Sequence, residues 1–207
     1  MSKYLWPLIV ISVILFVSFK YFSASTPSPI SNGITPNTTP PLTGLNNDPP
    51  PWLPEIDHLK DRLATLNLPV LKSEGTALHT HQHLDILING QKINIPDGIG
   101  VGPKESYIST IHTHDTSGII HVESPVIDDF YLGQFFDIWG VKFENQCLGS
   151  FCSNLDNHLR VFINGQETNA NFRYIKLFSH QEIFIYYGPD SKLPSVIPSK
   201  YTFPADY

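Results

Sequence analysis

The chain has little of several things that would give it away. Its only methionine is Met1, its only cysteines are Cys147 and Cys152, and charged residues make up 15% of its 207 positions. Without methionine in the body, thioether handling of copper(I) and a blue-copper site with axial methionine are excluded. The cysteines stand in CLGSFC, so the C-x-x-C spacing of thioredoxin-like redox enzymes is missing too. No run of lysine or arginine occurs and the formal charge is −6, which argues against nucleic acid and against a polybasic lipid-binding patch. Neither a glycine-rich phosphate loop nor a nucleophile-elbow serine is found.

Apolar length is present, at the N-terminus. Residues 4–19 (YLWPLIVISVILFVSF) carry no charge, and Tyr21 and Phe22 extend the run past Lys20. A bilayer core of about 30 Å takes roughly 20 residues of helix, so residues 1–22 are expected to form a transmembrane signal-anchor with Lys20 snorkelling to the interface. A signal peptide cleaved after Ser25 is the competing expectation. Either places the body on the extracytoplasmic side, at the cell membrane or secreted. No cysteine follows the run, which excludes a lipoprotein anchor. Residues 23–54, rich in Ser, Thr, Pro and Asn, read as a disordered linker. The folded, histidine-rich domain is expected over residues 55–207.

Ile56, Leu59, Leu63 and Leu66 fall at helical spacing before Asn67 and Pro69, which predicts a short amphipathic helix with His58 on its surface. An internal repeat follows: HLDILINGQ (83–91) and HLRVFINGQ (158–166) agree at six of nine positions. Each carries Asn-Gly, whose residues accept the positive φ of a two-residue hairpin turn. In the first copy that turn pairs Ile86 with Ile93 and Leu84 with Ile95, burying Leu84, Ile86, Ile88, Ile93 and Ile95. By alternation His79, His81, His83 and Asp85 share the other face. A further hairpin, Ser109–Ser124, turns at residues 115–118 and sets His112 opposite His121 and His114 opposite Ile119. Leu132, Phe135, Phe136 and Trp139 form a helical stripe closed by Gly140. A strand at 174–177, a turn at His180 and a strand at 183–187 complete an α+β domain, a mostly antiparallel sheet of hairpins with one packed helix.

Nine histidines are present, six of them between positions 79 and 121. Residues i and i+2 on a strand stand about 6.6 Å apart on one face, and a neighbouring strand brings a third ring to about 5 Å. His112, His114 and His121 fit such a facial set, as zinc sites with three histidines and an open position do; His79, His81 and His83 are a second set. The two sets hold one ion or two between them, or one set binds alone. Glu123 shares parity with His121, and Asp115 stands at the turn; both are candidate supporting carboxylates. An all-nitrogen set suits zinc, copper(II) or nickel, and zinc or copper(II) is the expected cofactor. Cys147 and Cys152 are expected to form a disulfide; thiolate ligation and a redox pair are the alternatives. His158 and His180 read as structural or exposed.

The strings HTHQHLDILINGQ (79–91), HTHDTSGIIHVESP (112–125) and YLGQFFDIWGV (131–141) resemble those of a family of exported or membrane-anchored prokaryotic proteins, over roughly residues 75–207. That resemblance implies an exported body and brings no catalytic residue with it. The order hairpin, helix, strand, hairpin from Ile119 to Tyr187 is similar to a β-grasp. The expected function is therefore a membrane-anchored extracytoplasmic domain that binds a divalent metal, with no protein partner identified. A metal-dependent hydrolase or hydratase and a purely structural or interaction domain are the alternatives.

Overall fold

The structure is a computed structural model and describes residues 41–207. The expected transmembrane segment and the first part of the linker lie outside the described residues. Among the described residues no helix is long and apolar enough to cross a membrane.

Helix α1 spans Leu59–Thr65 and buries Leu59 and Leu63, as its spacing predicts; Asn67, at φ 55°, ends it in a left-handed turn. The strands follow in chain order: β1 (Val70–Leu71), β2 (Leu78–Ile88), β3 (Gln91–Ile93), β4 (Ile108–Ser109), β5 (Ile111–His112) and β6 (Ile119–Ser124). Helix α2 is Leu132–Trp139, and after it come β7 (Phe143–Glu144), β8 (Cys147–Leu148), β9 (Phe151–Cys152), β10 (His158–Ile163), β11 (Gln166–Glu167) and β12 (Gln181–Gly188). The main sheet is seven-stranded, in the order β11-β10-β12-β2-β6-β5, with β3 also on β2.

Both Asn-Gly turns form. Asn89 and Asn164 sit at φ 52° and 51°, with Gly90 and Gly165 at 86° and 79°, and the registers set Ile86 opposite Ile93 and Ile163 opposite Gln166. The third hairpin has the expected register, His112 opposite His121. Ser117 donates its backbone N–H to Asp115 Oδ1 at 2.8 Å, so Asp115 shapes the turn. Cys147 and Cys152 are disulfide-bonded across the β8–β9 pair.

Two departures from expectation have physical causes. The chain before β12 does not form a hairpin with it: Phe172–Tyr174 is a 3-10 turn, and Lys176 bridges Tyr131 instead. β12 is buried along its whole length and lies between β10, antiparallel, and β2, parallel, with Gln181 opposite Gln82 through Tyr187 opposite Ile88. A strand covered on both faces needs long partners on both edges, which its own upstream turn is too short to supply. The body also reaches further toward the N-terminus than residue 55. Asn46 bridges Val141, and Trp52, 1% exposed, packs edge-on against Trp139 at 5.9 Å between ring centroids. One large aromatic side chain is enough to bind a proline-rich stretch that composition alone reads as linker, because burying a large apolar side chain contributes roughly 1.5–3 kcal/mol.

The sheet has unlike faces. Leu84, Ile86, Ile120, Val122 and Ile111 share one core with Leu132, Phe135, Phe136 and Trp139 of α2. On the other face a smaller cluster of Phe162, Phe184 and Tyr186 is met by Leu193 and Ile197. Further along the same C-terminal segment, Tyr201 stacks on His83 and Tyr207 on His81.

Candidate metal centre

Strand alternation and register together make a row. His81 of β2 lies opposite His121 of β6, which lies opposite His112 of β5, so three imidazoles cross three adjacent strands in line. One step along β2, His79 lies opposite Glu123. His114, two residues beyond His112, turns its Nε2 to within 3.0 Å of His112 Nε2, and His79 Nε2 stands 3.1 Å from His81 Nε2. Two nitrogens on one tetrahedral zinc are separated by about 3.3 Å, so each His-x-His pair is spaced as ligands of a common ion.

Glu123 is the hub. Its Oε1 is 3.1 Å from His79 Nε2, 3.2 Å from His121 Nδ1 and 3.9 Å from His112 Nε2. His112 is fully buried, and His81, His121 and Glu123 are 4, 4 and 3% exposed. A solvated polar face, the mundane account of a histidine-rich strand, does not look like this. The exposed members are the outer two, His79 and His114, whose side chains are 53 and 41% accessible.

The protonation states favour ligation. His112 Nδ1 lies 2.9 Å from the Ser109 carbonyl, an acceptor only, so Nδ1 carries the proton and Nε2 presents its lone pair to the cluster. Burial first, then the neighbouring His114 and His121, pushes the His112 ring down to about 3, against the opposing pull of Glu123. His81 is pushed down to about 4, by burial and then by His121 and His79. Both rings are therefore neutral near pH 7, the form that binds a metal. Burial alone would raise the Glu123 carboxyl, but the hydrogen bond from His121 and the surrounding imidazoles hold it well below the usual carboxylate range. An ionised carboxylate thus stands close to the neutral rings of His81 and His112.

Of the six expected ligands, five come together with Glu123: His79, His81, His112, His114 and His121. His83 stands apart. Its Nδ1 is 2.8 Å from Glu182 Oε2 and its Nε2 is 3.1 Å from the Ser117 carbonyl. Both ring nitrogens are thus engaged away from the five-histidine cluster. His83, Asp85 and Glu182 do lie within ligand distance of one another, but Asp85 pairs with Lys92 at 2.6 Å. Asp115 belongs to none of these groups. His158 makes no such contact. His180, also outside the cluster, has its Nε2 3.0 Å from the carbonyl of Tyr207, the residue whose ring covers His81.

Three contributors were invisible in the sequence. Glu182 sits 99 residues from His83 and meets it only through the parallel β2–β12 pairing. Glu74 Oε1 approaches His114 Nε2 at 3.2 Å from the loop before β2. Tyr207 stacks on His81 with ring centroids 4.2 Å apart. Residue spacing carries no trace of these long-range meetings. Beside His114 a cleft of about 380 Å³ opens, its walls including Lys72, Glu74, Asp97, Glu105 and Tyr107.

No protein-family model, curated protein or solved structure matches the chain.

Proposed function

We propose that this protein is a divalent-transition-metal-binding domain, loaded with zinc or copper(II) at His79, His81, His112, His114, His121 and Glu123. The observation that carries the reading is the convergence of these six side chains, four of them buried, with the protonated nitrogen of His112 turned away to a carbonyl. Burying this many polar groups is costly unless something satisfies them, and an ion in their midst does so. The N-terminal apolar run supports placing the domain outside the cytoplasm, held by residues 1–22 on a tether. The disulfide fits the same compartment.

The reading is tested by metal analysis of the purified protein and by competition with a chelator of known affinity. His112→Ala is expected to weaken binding by about 100-fold or more, since loss of even a supporting contact costs roughly 10–100-fold. His58→Ala and His158→Ala, both away from the cluster, should leave affinity unchanged. Equal affinity of the wild type and the variant lacking His112, His114 and His121 would remove the metal reading altogether.

A second reading is favoured by the cleft beside His114: a metal-dependent hydrolase or hydratase, in which an ion held by the cluster would activate water for a substrate seated in that space. Turnover of an activated ester by the zinc-loaded protein, lost in His114→Ala, distinguishes it from a pure binding module.

A further inference from the structure

The donor atoms of the centre fall into two groups of four. One is His79, His81, His121 and Glu123; the other is His112, His114, His121 and Glu123, and within each the ligand atoms all lie within 4.8 Å of one another. They overlap at His121 and Glu123 on the middle strand, β6, and diverge at two His-x-His pairs, His79 and His81 on β2 and His112 on β5 with His114 just past its end; β2 and β5 flank β6 on opposite sides. Strands two positions apart in a sheet are separated by about 9.5 Å. An ion bound at about 2.0–2.1 Å serves one flank or the other, whereas two ions about 3.5–4 Å apart serve both.

Building on the metal-binding reading, we infer that the centre is dinuclear and bridged by Glu123. One ion sits on His79 and His81, the other on His112 and His114, and each takes an oxygen of the Glu123 carboxylate. The carboxylate has two oxygens and about four lone-pair sites, and its Oε1 already lies within 4 Å of a nitrogen from each flank. It is also the one anionic side chain common to both groups, so it is the group that lowers the repulsion between two dications. His121 stands between, its ring centroid 4.6 Å from that of His81 and 4.4 Å from that of His114. The positions are alike in donors but not in surroundings. The β2 position lies beside the Tyr207 ring, and the β5 position opens through His114 onto the cleft.

The test uses metal-stripped full-length protein dialysed to equilibrium against zinc and, separately, copper(II), with metal counted by elemental analysis. Two equivalents per chain are expected. In the copper(II) form the integrated electron paramagnetic resonance intensity should fall well below the copper content, because bridged ions couple their spins. His79→Ala and His114→Ala remove exposed rings, so the fold is expected to persist, to be confirmed by circular dichroism. Each should weaken one equivalent by about 100-fold and leave the other bound. A single equivalent in the wild type, weakened alike by either variant, would overturn the dinuclear assignment while preserving the metal reading. Two equivalents with full paramagnetic intensity would overturn the bridge. No binding by the wild type would overturn the metal reading beneath it.

Discussion

His112 shows how one side chain is prepared for a task. Its neighbour in register fixes its place, the Ser109 carbonyl fixes its tautomer, and burial fixes its charge. The same burial makes the metal-free domain sensitive to acid. His81 and His112 are held neutral in the native state, down to about 4 and about 3, while in the unfolded chain they take up a proton near the ordinary value of about 6.5. Between those values the unfolded chain binds more protons, so stability present above pH 6.5 is lost as pH falls through about 4. Denaturant midpoints of the metal-free protein at pH 7, 6 and 5 should therefore decline in that order. His81→Phe combined with His112→Phe should flatten the decline; an equally steep profile in that variant would show that other groups are responsible.

At the scale of elements, α1 is tied to α2 by one buried cation. Arg62 donates to the carbonyls of Thr43 and Ile138, each at 3.1 Å, and pairs with the Glu55 carboxylate. Ile138 lies in the last turn of α2, where unpaired carbonyls carry partial negative charge. Gly140, at φ 83°, leaves room for Glu55, whose Cβ would stand 2.5 Å from any Cβ added there. Arg62→Ala is expected to cost about 3–5 kcal/mol in urea unfolding, because it strands a partly buried carboxylate and three carbonyls, those of Thr43, Glu55 and Ile138. A loss below about 1 kcal/mol would mean that α1 is held by Leu59 and Leu63 alone. The elements that were legible in the sequence are those whose cause is local. Spacing named α1 and α2, Asn-Gly named two turns, and the turn after His114 set the register of His112 on His121. What was not legible arises from pairing at a distance: the parallel run of β12 on β2, Trp52 reaching Trp139, and Glu182 meeting His83 apart from the other five histidines. The centre was thus readable as a set of residue types and strand parities. Its division into a five-histidine cluster and a separate His83–Glu182 contact needed the third dimension.

For the whole molecule, the centre stitches three strands of one sheet, so occupancy and global stability are coupled. A ligand present at 100 times its dissociation constant and bound only by the native state stabilises by about 2.7 kcal/mol, roughly 5–10 °C in melting temperature for a domain of this size. Scanning calorimetry with and without a chelator should show a shift of that order in the wild type and little in Glu123→Gln; identical melting in both would uncouple site from fold. The parallel seam between β2 and β12 has a kinetic consequence. Every backbone pair along it joins residues 99 positions apart, and loop closure must precede any reward from such contacts. While the ribosome is still making residues 89–180, β2 has one of its two edges unclaimed, and its histidines are already synthesised. The domain therefore belongs among slow folders, in the millisecond-to-second range, and its ligands are available to ions before the sheet that arranges them has closed.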